Sequence, residues 1–384
     1  MKAQLTNFLP GLAAAAALSF LAGTPHVFAQ ARVRTELTFP DVPDYVTLKC
    51  DFHMHTVFSD GAVWPTVRVE EAWRDGLDAI AIADHIEYQP HRADVNTNYG
   101  RSHEIARAAA EQLGVIVIRA AEITRGEPPG HLNALFLKSI DPLRTSNYVD
   151  ALQAAVDQGA FIFWNHPGWK QPENKSLWYA EQGEFYDKGW LKGIEVVNGG
   201  DFDPIAHQWC VDKKLAMVAN SDVLGPITWD YDLSEENHRP VTLVFATQRT
   251  EEAIKEALFA RRTVLFAGKQ LVGDEQFLKP LFDGAVEMKN QPVRIKGKNR
   301  AVVQVFNRSP VSFELQPAGN SEDVTVPRKV TLQAGKTSLL EVTGKGTGAT
   351  GKRTVALPFR VANLKITPDE ALTVELKFEA EFLP

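Results

Sequence analysis

Five of the ten histidines in this chain stand at the ends of short apolar runs. His53 and His55 close one run, His85 closes the next, His131 opens the fourth and His166 closes the fifth. Gathered imidazoles are costly polar groups unless a metal or a charge partner uses them. Side chains two apart on a strand point to the same face, so His53-Met54-His55 can present both rings to one cation. Carboxylates fall at matching places: Asp60 in Ser59-Asp60-Gly61, Asp84 beside His85, Glu122 in Ala121-Glu122-Ile123-Thr124, and Asp222 after Asn220-Ser221. A mixed imidazole and carboxylate set suits Zn, Mn or Fe, and without thiolate ligands it does not read as a structural zinc site. His26, His91, His103, His207 and His238 read as ordinary core or surface residues.

The elements that must position these groups repeat one rhythm from residue 46 to 224. A β-branched or aliphatic run ends in a polar residue and a helical stretch follows. The runs are Val46 to His55, Ala79 to His85, Val115 to Glu122, His131 to Leu137, Ala160 to His166, Gly193 to Asn198 and Leu215 to Asp222. Near-continuous apolar runs such as Val115 to Ile118 suit parallel strands buried on both faces. Helix patterns lie between several of them, as at Thr66 to Leu77 and Ser102 to Leu113. The alternation argues for a β/α barrel or a doubly wound sheet. Reactive groups at the strand ends favour a distorted seven-stranded barrel, whose active sites gather there.

Beyond a change of texture at Gly273 to Asp283 the chain reads as all-β. Leu372, Val374, Leu376, Phe378, Ala380 and Phe382 alternate with polar residues, which is a strand with one buried face. The expected organisation is a leader over 1–29, a hydrolase barrel over 30–284 and a small β-sandwich over 285–384. The leader reading rests on Lys2, the apolar run Leu9 to Leu21, and small residues at −3 and −1 before Gln30. It implies a periplasmic or secreted protein, and no later stretch has the length and apolarity of a membrane span.

With 44% hydrophobic residues the chain can bury one full core and a smaller second one. A net charge of −7 and no long Lys/Arg run exclude an electrostatic footprint for nucleic acid. A metal cluster would supply local positive charge for a small anion. Cys50 and Cys210 are the two cysteines, too few for a disulfide framework, and read as buried thiols.

The ordered series His-x-His, Ser-Asp-Gly, Asp-His, Glu, His, His and Ser-Asp resembles the PHP (polymerase and histidinol phosphatase) superfamily from about Cys50 to Thr263. With a leader and a C-terminal sandwich, the chain looks most like the secreted phosphodiesterase branch. The resemblance implies that His53, His55, Glu122 and Asp222 hold one divalent ion, and that a bridging Glu122 joins His131 and His166 on a second. A third ion in many members uses positions matching Asp60, His85 and a histidine two places after Asp222, where this chain has Leu224. A binuclear Mn or Zn centre, with Fe as another candidate, is therefore expected, with a third ion at most weak. His85 and Asp60 are then available as proton donors.

Two cations sharing Glu122 would lower the pKa of a bridging water and draw charge from phosphoryl oxygens, which fits hydrolysis of small phosphate diesters. Arg125, three residues past Glu122, is the candidate to orient the anion. Lys170, Asn198 and Arg261 read as structural or solvated. Phosphomonoester or amide hydrolysis could run on the same centre, since fold does not fix substrate. A catalytically dead periplasmic binding protein is the non-enzymatic alternative.

Overall fold

The computed structural model describes residues 32–95, 98–234 and 237–384; the leader expected over 1–29 lies outside the described residues. Each of the seven apolar runs between residues 46 and 224 contains a strand. The strands of this stretch are β1 (Val46–Asp51), β2 (Ala79–Ile82), β3 (Ile116–Thr124), β4 (His131–Leu135), β5 (Phe161–Trp164), β6 (Leu191–Asn198), the two-residue β7 (Asp201–Phe202) and β8 (Ala216–Asn220). β9 (Val241–Ala246), β10 (Thr263–Ala267) and β11 (Gln270–Gly273) complete this part of the sheet. All four residues of β2 and all six of β9 are buried, as strands covered on both faces must be.

The sheet is mixed. β1, β2 and β3 run parallel, as do β5, β6 and β8, but β4 is antiparallel to both its neighbours. This reversal explains why His131 opens its run while the other histidines close theirs. An antiparallel strand brings its first residue to the mouth where its parallel neighbours bring their last. β9 pairs antiparallel with β1, and β10 with β9. Closure against β8 is made by threonines: Thr242 Oγ1 donates to the Ala219 carbonyl and accepts from its N–H, both at 2.9 Å, and Thr263 Oγ1 donates to the Met217 carbonyl at 2.9 Å.

The stretch where the sequence texture changes folds as a helix, Glu275–Ala285, capped by Asp274. The all-β part follows as two packed sheets. One joins Val286–Met288, Arg300–Asn307, Lys336–Gly344 and Val324–Thr325, and the other is built on the long hairpin of Gly351–Lys365 and Ala371–Leu383. Along Ala371–Leu383 the buried residues alternate with exposed ones up to Ala380, as the sequence pattern requires. This domain is hydrogen-bonded to the barrel sheet, because β11 pairs parallel with the hairpin at Leu271↔Leu364 and Val272↔Lys365. His207 adds a contact to the Ile366 carbonyl at 3.2 Å. His103 and His238 likewise contact backbone carbonyls, of Val117 and Gly268. Cys50 and Cys210 are free and buried.

Candidate metal centre

His53, His55, His85, Glu122, His131, His166 and Asp222 meet at one mouth of the barrel. Their donor atoms fall into three overlapping groups: His53, His55 and Asp222; His55, His85 and Glu122; Glu122, His131 and His166. Within each group the atoms lie within 4.8 Å of one another. Two of the residues hold uncommon backbone: His166 has φ of 29° and Asp222 of 51°.

Tautomers follow from the partners around the rings. His53 Nδ1 donates to Glu195 Oε1 at 3.0 Å, which leaves Nε2 as a lone pair. His55 Nδ1 lies 3.3 Å from Ser59 Oγ, whose own proton goes to Asp84 Oδ1 at 2.8 Å, so His55 Nε2 is also a lone pair. These two nitrogens stand 3.2 Å apart, with Asp222 Oδ1 at 3.1 and 3.0 Å and Glu122 Oε2 at 3.2 and 3.3 Å. Lone pairs facing lone pairs in a buried space repel unless a proton or a metal cation stands among them.

The second lobe has the same character. His131 Nδ1 and Glu122 Oε1 approach to 2.6 Å without hydrogen-bond geometry, and both atoms, with His166 Nδ1 and Asp60 Oδ1, are buried without a hydrogen-bond partner. Orphaned buried donor atoms of this kind are rare, and their convergence fits a divalent metal.

Electrostatics agrees. Burial disfavours a charged His53 ring, yet Asp222, Glu195 and Glu122 outweigh it and hold its pKa well above the ordinary value. Burial likewise opposes ionised Glu122 and Asp222, but His53 and the other imidazoles keep both well below the carboxylate range. The negative field that retains a proton on His53 would retain a cation.

Three supports went unread in the sequence. Glu195 is buried in β6, where it takes His53 Nδ1, the His166 N–H at 2.9 Å, Asn198 Nδ2 at 2.8 Å and Asn220 Nδ2 at 2.9 Å. A lone charge inside Gly193-Ile194-Glu195-Val196-Val197 was its signal, since charges are seldom buried without a partner. Asn198, read as structural, lines the cavity and donates to Asp222 Oδ2 at 3.0 Å. Arg68, in the helix α1 (Pro65–Arg74), reaches the carbonyls of His55, Val223, Leu224 and Gly225 at 2.8 to 3.0 Å. Gly61 is needed for close packing, because a Cβ there would come within 2.6 Å of the His55 and Thr56 backbone.

Arg125 is not available as the anion-orienting group. Its guanidinium is paired with Glu87 and bonded to the carbonyls of Thr124 and Thr145, and it does not line the cavity. Glu87, too far along the chain to be read as its partner, takes up the charge. Among the described residues that line the cavity the one Lys or Arg is Lys170, another position read as structural.

Replacing Glu195 by glutamine should lower metal affinity by about 10- to 100-fold, the usual cost of losing a carboxylate that orients a ligand histidine. Competition with a graded chelator measures it. Unchanged metal retention would mean that His53 keeps its orientation unaided.

Similarity to known proteins agrees with this geometry. A crystal structure from Bacteroides vulgatus, described as a two-domain protein containing a predicted PHP-like metal-dependent phosphoesterase, superposes with a TM-score of 0.84 at 40% identity. The match covers 91% of this chain and all of that one. An uncharacterised protein of Methanocaldococcus jannaschii is 28% identical over 246 residues, covering 62% of this chain and 90% of its own. An Ig-like domain family matches residues 286–377. The fold and site define a metal-dependent hydrolase of the barrel-mouth kind. The chain belongs to the two-domain PHP-like metal-dependent phosphoesterases.

Proposed function

We propose that the protein is a phosphodiesterase acting on small organophosphate diesters at a binuclear centre. The observation that carries the substrate class is the charge lining the cavity of about 440 Å³ above the ligands, where Lys170 is the one Lys or Arg among the described residues that line it. A diester carries one negative charge and a monoester up to two, so a single ammonium beside the metals suits the diester.

His53, His55 and Asp222 would hold one cation, His131 and His166 the other, with Glu122 shared. Two divalent ions held there would supply hydroxide near neutral pH and draw charge from the phosphoryl oxygens. Lys170 meets a non-bridging oxygen. His85 protonates the leaving alkoxide: its Nε2 lies 3.3 Å from Asp60 Oδ2 at the cavity wall. Burial lowers its proton affinity, but the hydrogen bond with Asp60 and the charges of Glu122 and Asp60 outweigh that and raise its pKa, which suits an acid. Asp60 thus orients the donor.

Turnover of bis(p-nitrophenyl) phosphate against p-nitrophenyl phosphate, after reconstitution with Mn or Zn, tests the assignment. The diester should be favoured in kcat/KM. A monoester preference of about tenfold, equivalent to about 1.4 kcal/mol, would replace the diester reading by a phosphatase.

A further inference from the structure

Three apolar side chains at the mouth belong to no core. Tyr88, Trp169 and Leu224 are 54%, 42% and 42% exposed, and all three line the cavity above the ligands. Isolated exposed apolar residues are ordinary, but three around one polar floor form a patch that a ligand can cover.

They stand at different sides of the cluster. The Tyr88 ring is 6.1 Å from His85, centroid to centroid, while the Trp169 ring is 5.0 Å from His131 and 5.2 Å from His166. Leu224 follows Asp222 by two residues, its carbonyl fixed by Arg68 and by the Ala62 N–H.

Trp169 is held in place. Its backbone N–H donates to the His166 carbonyl at 2.9 Å, and the adjoining turn packs so closely that a Cβ on Gly168 would lie 2.7 Å from the Asn174 carbonyl oxygen. Ser176, just beyond, is hydrogen-bonded to Asp203. Lys170 Nζ lies 3.8 Å from the centroid of the Trp169 ring. The indole and the ammonium stack together beside the His131 and His166 lobe, an apolar surface next to a charge.

We propose that the ester group remaining on phosphorus after hydrolysis is aromatic, and that Trp169 selects it, with Tyr88 and Leu224 completing an apolar rim. The inference rests on the phosphodiesterase reading, since a monoester has no second group to seat there. His85 as proton donor, oriented by Asp60, sets the leaving group on the Tyr88 side. The group that stays then falls on the Trp169 side, with its phosphoryl oxygen near Lys170. Aromatic pairs prefer offset or edge-to-face packing and gain beyond the apolar area they bury, which a short alkyl group cannot match.

Phenyl p-nitrophenyl phosphate and ethyl p-nitrophenyl phosphate share a leaving group and differ only in the group that stays. In the metal-loaded wild-type protein the phenyl diester should exceed the ethyl diester in kcat/KM by about tenfold or more. Trp169→Ala should bring this ratio toward one, and Trp169→Phe should keep most of it. Because both substrates are read on the same sample, the ratio is insensitive to metal lost through the His131 and His166 contacts. A wild-type ratio within about twofold of unity overturns the proposal, whether or not Trp169→Ala folds. A high ratio that persists in Trp169→Ala removes Trp169 as the selecting residue. Hydrolysis of neither diester would instead sink the phosphodiesterase reading beneath it.

Discussion

Glu122→Ala is expected to yield a protein that retains neither metal and has lost activity on the order of 10³-fold or more, beyond what losing one transition-state contact typically costs. Glu122 is fully buried and belongs to two of the three donor groups. Its Oε2 lies 3.1 to 3.3 Å from nitrogens of His53, His55 and His85, and its Oε1 lies 2.6 Å from His131 Nδ1. Removing it subtracts the shared carboxylate, one of two carboxylates at the His53 and His55 lobe and the one carboxylate at the His131 and His166 lobe. Glu122→Gln separates shape from charge, because the amide keeps the volume while its NH₂ points a donor toward ring nitrogens that need a cation. Elemental analysis of both variants decides the matter. If Glu122→Ala keeps about two metals per chain, the assignment of the bridging ligand is wrong.

Arg68→Ala should be the most destabilising single change near the site, by about 3–5 kcal/mol, the range for removing one partner of a buried ion pair. Arg68 is fully buried in α1, bonded through Nη1 to Glu71 Oε2 at 2.7 Å and to four carbonyls of the segments that carry His55 and Asp222. Glu71 in turn accepts from the Ile227 N–H at 2.8 Å, so the guanidinium joins three segments of chain. Burial pulls the Arg68 pKa down from its usual value, with Glu71 acting against it, yet an arginine stays charged at any ordinary pH. Its removal leaves a buried carboxylate and several carbonyls without partners. Arg68→Lys should rescue little, because one ammonium cannot span the planar fork of contacts. Urea midpoints of the metal-free proteins measure the loss. A change below about 1 kcal/mol, the scale of an exposed ion pair, would show that the mouth segments hold together without the clamp.

The clustering of these histidines and carboxylates was legible because most of them close or open an apolar run, and the period of two along a strand converts spacing into a shared face. The same logic located β1 to β6, β8 and the alternating strand at residues 371–383. It did not tell the direction of β4. An apolar run looks the same forward or backward, and only pairing with β3 and β5 sets His131 at the mouth.

Arg125 shows the limit from the other side. Nearness in sequence to Glu122 made it a candidate, but a guanidinium answers to whichever carboxylate is nearest in space, and that is Glu87. Arg68 and Glu71, three residues apart on a helix, went unread, and both face inward. Lys170 reached the cavity through the turn after His166.

By itself, then, the sequence determined the strands, the ligand types and their order along the chain, because hydrophobic period and residue chemistry are local properties. The tertiary structure alone decided which charges are spent on each other and which face the cavity. Arg125 with Glu87, Arg68 with four carbonyls, Glu195 with His53 and Trp169 with Lys170 were settled by distances of a few ångströms. Apart from the neighbouring Trp169 and Lys170, those contacts join segments that chain order leaves far apart.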